Sequence, residues 1–281
     1  MTNKHAGLKY LIWAGGILIC LVALVIGFFF AAISRYSGDR ERPVLNLSEK
    51  ADADSGSVSA NGIDAGAGSG SGYATSPTGA LKTLAETGDG GQTYIDSLTF
   101  LADSSMSALK TSGLTAGQVW VGSGGLSMDG IAGWSIIYPG DGSSISPANA
   151  AMVAKPATLV ICIGSDGCTG MSQESFVSGY ENLILTITTA SPDTKVICCP
   201  VFPVTTAYAG SDGLSAQTAE QVNGWIKQVC IDTGAWYADC AYVLTSEDGA
   251  LLSGYAAAEG KGLSSTGLGA LLSWLRTHTL S

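Results

Sequence analysis

From Tyr10 to Ser34 the chain runs without a single charged side chain, as YLIWAGGILICLVALVIGFFFAAIS. A helix rises about 1.5 Å per residue and needs roughly 20 apolar residues to cross a bilayer core, so this stretch predicts a transmembrane anchor. A cleaved secretory signal is the rival reading. Its apolar region would run about 7–15 residues and end in small residues, whereas Phe28-Phe29-Phe30 stands where cleavage would need them. The next pattern is one of no periodicity: residues 48–92 contain SGSVSANGIDAGAGSGSG and TGDGGQ. A stretch so poor in apolar side chains cannot offset its chain entropy, which predicts a flexible tether with a reach of roughly 35 Å. Beyond Thr93 short apolar runs recur between turn residues: SLTFLA (97–102), QVWVG (118–122), ATLVICIG (157–164) and TKVICCPVF (194–202). Helical spacing fills the intervals at 172–191, 215–234 and 264–278, the last with Leu268, Leu271, Leu272 and Leu275 on one face. Continuous apolar strands alternating with helices predict a parallel sheet covered on both faces.

The expected organisation is a tail (1–9), an anchor (10–34), a Gly/Ser/Ala/Asp linker (35–92) and one domain (93–281). The fold class is α/β, a three-layer α/β/α domain with a parallel, flavodoxin-like sheet. Orientation in a membrane is not settled by Lys and Arg, since Lys4 and Lys9 precede the apolar run while Arg35, Arg40 and Arg42 follow it. A short tail before a large acidic body favours the body lying outside, as an extracytoplasmic domain of a single-pass protein.

Composition removes several functions. A net charge of -10 leaves no basic stripe for a phosphate backbone, so no nucleic-acid partner is expected. Two histidines, His5 and His278, cannot build a His-rich metal site, and neither a CxxC nor a His–Cys cluster occurs, so no metal or other cofactor is expected. Cys20 falls in the apolar run; six further cysteines allow 15 connectivities. Among these, Cys230 and Cys240 flank a helix-to-strand connection and are a candidate disulfide.

In a parallel sheet, functional residues lie past the C-terminal strand ends. That rule selects Ala102-Asp103-Ser104-Ser105, the Gly122–Ser127 turn and Gly164-Ser165-Asp166-Gly167. Bland readings stand beside each. Ser104 suits a helix cap, Asp103 suits its own turn, and the glycines suit tight turns. Asp166 with Asp103 and Asp129 would make a small acidic pocket open to a hard cation. Trp134 and Tyr138, in the Gly/Ser-rich insertion 130–147, and Tyr208, after the fourth strand, are candidates for stacking on a sugar or for core packing.

These loops and the end of the chain resemble the SGNH (GDSL-type) esterase family over residues 93–278. TFLADSS carries Ala102-Asp103-Ser104 where the family has its Gly-Asp-Ser nucleophile turn, VGSGGLS supplies Gly125 after the second strand, and Gly164-Ser165-Asp166 stands for Gly-x-Asn. Glu259-Gly260-Lys261-Gly262 stands for the Asp-x-x-His before the last helix. The resemblance implies Ser104 as nucleophile position, Gly125 and Asp166 as oxyanion-hole positions, and Glu259 as the position of the orienting carboxylate. It also implies a groove for glycans or acylated polymers. Two departures concern chemistry: Gly262 replaces the histidine, and Asp166 replaces a hydrogen-bond donor. The expectation is therefore a non-catalytic binding or scaffolding module at the cell envelope, against an active esterase or deacetylase using Ser104 with an unconventional base such as Glu259.

Overall fold

The computed structural model describes residues 79–122 and 124–280. Their strands are β1 (Lys82–Thr83), β2 (Thr99–Ala102), β3 (Val119–Val121), β4 (Ile136–Ile137), β5 (Ser144–Ile145), β6 (Thr158–Cys162), β7 (Lys195–Cys198) and β8 (Trp236–Tyr237). The α-helices are α1 (Gly91–Ser97), α2 (Pro147–Ala154), α3 (Gln173–Ala190), α4 (Ala216–Thr233) and α5 (Ser265–Arg276). One sheet runs β1-β8-β7-β6-β2-β3, and every neighbouring pair in it is parallel. The remaining two strands, β4 and β5, form an antiparallel hairpin.

Strand alternation divides the interior into two layers. Leu101, Leu159, Ile161, Val196 and Cys198 face α3 and α4, where Phe176, Ile184, Val222 and Ile226 cover them. Phe100, Val160, Cys162 and Ile197 face the other way, against Ile95 of α1 and Leu268, Leu271 and Leu275 of α5. In register, Phe100 lies opposite both Val119 and Val160, so apolar side chains meet like partners across the sheet. The parallel α/β fold expected from the strand pattern is what forms.

Each long helix begins on a serine. Ser172, Ser215 and Ser264 accept hydrogen bonds from the amides of Ser175, Thr218 and Gly267, at 3.2, 3.1 and 3.3 Å. Gly234, at φ +74°, closes α4 in the left-handed conformation that glycine adopts at no steric cost.

Two expectations need correction. The fold starts well before Thr93: Lys82 and Thr83 pair with Trp236 and Tyr237, Leu84 is buried, and α1 opens at Gly91. A two-residue strand carries no readable alternation, and only its neighbour β8 makes it one. The Gly/Ser-rich insertion 130–147 takes in the end of a 3-10 helix (Met128–Gly133) and the β4–β5 hairpin. Cys230 and Cys240 lie in the two different layers on opposite faces of the sheet, which removes the disulfide expected between them. The expected anchor at 10–34, most of the linker, His5 and Cys20 lie outside the described residues. Among the described residues no helix is long and apolar enough to cross a membrane.

Candidate active site

β2 sits between β3 and β6, so the chain leaves β2 toward one edge and β6 toward the other. The loops after β2 and β6 meet above this switch point, where parallel α/β sheets carry their ligand crevice. Asp103, the first residue past β2, is buried, and its carboxylate is fully engaged. One oxygen accepts from the Ser105 amide and hydroxyl at 3.0 and 2.6 Å, the other from the Ser165 amide and hydroxyl at 2.9 and 2.8 Å. It ties the two loops to each other. Burial pushes its pKa up, as does the nearby charge of Asp166, while the serine donors pull it partly back.

Ser104, on the β2 loop, is exposed. Its hydroxyl donates to one oxygen of Asp166 at 2.8 Å, and its backbone amide donates to the other at 3.0 Å. The hydroxyl does not cap a helix; the 3-10 helix that follows (Ser107–Thr111) begins at Met106 without a side-chain cap. Asp166 receives a third donor, the ammonium of Lys261 at 2.9 Å on the same oxygen that takes the Ser104 hydroxyl. Lys261 also reaches Asp212 at 2.8 Å, and Asp212 accepts from the Tyr208 hydroxyl at 3.0 Å and the Leu214 amide at 3.1 Å. Burial raises the pKa of Asp166, but Ser104 and Lys261 outweigh it and hold the carboxyl below the usual range. Burial would lower Lys261, yet its two carboxylate partners dominate and hold it firmly protonated.

The other loops close around this network. Met128 donates its amide to the Asp166 carbonyl at 2.9 Å, and a Cβ on Gly167 would meet the Ser127 hydroxyl at 2.1 Å, so the β3 loop lies flat on the β6 loop. The segment before α5 docks on the Asp103–Ser105 turn through the Leu263 amide, which donates to the Ser105 carbonyl at 2.8 Å. Gly262 is buried against that turn at φ +74°, and a Cβ there would stand 3.1 Å from the Ser105 carbonyl oxygen.

Residues 96–260 match the sequence model of the GDSL-like Lipase/Acylhydrolase family. The chain belongs to that family. Among solved structures it is similar to a GDSL-like lipase from Bacteroides thetaiotaomicron, at 11% identity and a TM-score of 0.42, over 64% of this chain and 85% of that one. It is also similar to an acetylxylan esterase from Geobacillus stearothermophilus, at 17% identity and a TM-score of 0.41, over 66% and 94% of the two chains. No curated protein matches it.

In this GDSL-type domain the residues singled out from sequence fall into three groups. Asp103, Ser104 and Asp166 come together, and Tyr208 joins them through Asp212 and Lys261. Gly125 stands in the exposed β3 turn at φ +91° with open space around a would-be Cβ. Trp134 is buried and donates its indole N–H to the Ser127 carbonyl at 2.9 Å, so it supports the β3 loop from beneath rather than facing a ligand. Tyr138 is half-buried against the same core. Glu259, at the position of the orienting carboxylate, is exposed and makes no hydrogen bond among the described residues. Asp129 is held by the Ser127 hydroxyl at 2.6 Å, and among the described residues no group of three His, Cys, Asp or Glu side chains is arranged to hold a metal ion. His278 stacks on Trp274 with ring centroids 3.8 Å apart, and its Nδ1 lies 2.9 Å from the Trp274 carbonyl. It stands past the far end of α5, a helix whose 12 residues span roughly 18 Å.

Sequence reasoning passed over Lys261 and Asp212. Both carried a signal. Lys261 is a cation in the motif before the last helix, and Asp212 follows a strand at the C-terminal edge of the sheet, the edge already selected as functional.

Proposed function

We propose that this GDSL-type domain does not hydrolyse esters and serves as a binding or scaffolding module at the cell envelope. It would be held at the membrane by residues 10–34, with the domain outside. The observation that carries the reading is that the hydroxyl and the amide of Ser104 both donate to one carboxylate, Asp166, which Lys261 keeps ionised. Acyl transfer needs a base for the serine proton and donors for the oxyanion. Here no imidazole approaches Ser104 among the described residues, and the adjacent amine is protonated. A negative group stands where donors are needed. At about 4 Å and an effective dielectric of about 20, an oxyanion beside Asp166 would meet a repulsion of order 4 kcal/mol. Loss of one oxyanion donor costs about 10²–10³ in rate, and loss of the base about 10⁶.

The ligand class this reading favours is a hydroxyl-rich glycan or acylated polymer of the envelope, held in the crevice beside Ser104, Asp166 and Tyr208. Its support is a cluster of hydroxyl and carboxylate groups, Ser104, Tyr208, Asp166 and Asp212, that match sugar hydroxyls.

One observation favours a second reading. The Ser104 hydroxyl is 2.8 Å from Asp166, within reach for proton transfer, so an esterase using Asp166 as base is the competing case. A short-chain ester assay on the purified full chain separates the two. Under the first reading turnover stays at the level of Ser104→Ala, and a fluorophosphonate labels Ser104 neither in the wild type nor in Asp166→Asn. Under the second, wild type turns over and Asp166→Asn abolishes it. Retention of the full chain on immobilised envelope polysaccharide, reduced by Tyr208→Ala, tests the binding half. Protease accessibility of the domain in intact cells tests its side of the membrane.

A further inference from the structure

Five buried cysteines gather around one point of the sheet, and the serine site does not use them. Cys198 and Cys199 are adjacent at the end of β7, so strand alternation sends their side chains to opposite faces. Cys198 points into the α3–α4 layer, where its thiol meets that of Cys230 in the last turn of α4. Cys199 points into the α5 layer, where its thiol meets those of Cys162 and Cys240. The Cys230 contact and burial push the Cys198 thiol well above its usual range, whereas contacts from the Cys162 and Cys240 thiols bring Cys199 down to about 5.

We propose that this vicinal pair roots two disulfides, Cys198–Cys230 on one face of the sheet and Cys199–Cys240 on the other. Cys162 is the poorer partner for Cys199. Ile161 pairs with Cys198, so Cys162 and Cys199 are side-by-side neighbours on parallel strands. Directly opposed residues on neighbouring strands hold their Cβ atoms about 4.5–5.5 Å apart, whereas bridged cysteines need them about 3.5–4.5 Å apart. Cys240 instead precedes the short 3-10 helix Ala241–Val243, outside any strand pairing. Each bridge forms when two thiols lose two protons and two electrons to a disulfide oxidant, such as oxidised glutathione or a protein disulfide, which becomes two thiols. Because every sulfur involved is buried, the bridges form as the chain folds. Their position matters to the crevice: the Cys162 carbonyl accepts the Asp103 amide at 3.1 Å, so the Cys199 cluster lies directly beneath the serine turn.

The inference does not rest on the reading of the serine site. The full chain is unfolded, refolded in a glutathione redox buffer, denatured and alkylated. Of seven cysteines, three should then be alkylated: Cys20, Cys162 and Cys168. Cleavage before Asp232 separates Cys230 from Cys240, and each should appear joined to the peptide holding Cys198 and Cys199. Cys199→Ala should keep the link to Cys230 and lose that to Cys240, and Cys198→Ala the reverse. Seven alkylated thiols in refolded wild type, a Cys230–Cys240 bridge, or Cys162 in place of Cys240 would each overturn the proposal. The wild-type count and map decide it even if either variant fails to fold.

Discussion

Lys261 is the side chain on which the candidate site turns. Its ammonium bridges Asp166 and Asp212 while only 18% of the side chain is exposed. Replacement by methionine would leave two carboxylates facing each other with no cation between them. Lys261→Met should therefore cost about 1–3 kcal/mol, read as a lower urea midpoint. The neighbouring Gly262 imposes a different constraint. At φ +74°, with the Ser105 carbonyl 3.1 Å from a would-be Cβ, any other L-residue is strained. Gly262→Ala should cost about 1–2 kcal/mol. The same strain applies to Gly262→His, so simple restoration of the missing imidazole carries a stability penalty before any chemistry is gained. The glycine was legible as an absence of chemistry; that its backbone is committed to a left-handed turn was visible only once φ was known.

At the scale of elements, the serine that opens each long helix sets its first turn. Ser172→Ala removes the acceptor of the Ser175 amide and should cost about 1 kcal/mol in urea unfolding. These boundaries were readable because periodicity over 12 to 18 residues is a strong signal, and α3, α4 and α5 begin one residue inside the predicted ranges. The two-residue strands β1 and β8 were not readable, since a pair of residues has no period. Their stability comes from neighbours. Leu84 follows β1 into the core beside α5, and its amide bonds the Tyr237 carbonyl at 3.1 Å. Leu84→Ala should cost about 2–4 kcal/mol, the range of a core truncation. A cost near zero would mean that the segment before Thr93 is a passive tether after all.

Over the whole molecule, the titrating groups of the crevice act in opposite directions with pH. Asp166 and Asp212 have lowered pKa values, so their contribution is complete above about pH 4 and is lost as pH falls through the folded values. Lys261 is raised, so its contribution holds below its ordinary value of 10.5 and is lost only as pH rises through the folded one. Asp103 is a carboxyl whose pKa burial raises, so folding favours its proton and stability falls as pH climbs from its ordinary value of 3.8 through the folded one. The expected profile is a urea midpoint that declines above about pH 4 and then levels, with no further loss until strongly alkaline pH. Asp103→Asn should flatten the decline, while lowering stability throughout because its amide nitrogen would face donors of Ser105 or Ser165. The amino-acid sequence alone determined the alternation of strand and helix and the parallel sheet it implies. It also placed Asp103, Ser104 and Asp166 at strand ends, because these follow from local periodicity and from the chirality of the chain. Tertiary structure alone decided that Asp166 takes both donors of Ser104, that Lys261 reaches back 95 residues to hold it, and that Cys230 and Cys240 are separated by the sheet. Those outcomes depend on which loops meet above the strands, and no local pattern encodes a meeting between distant segments.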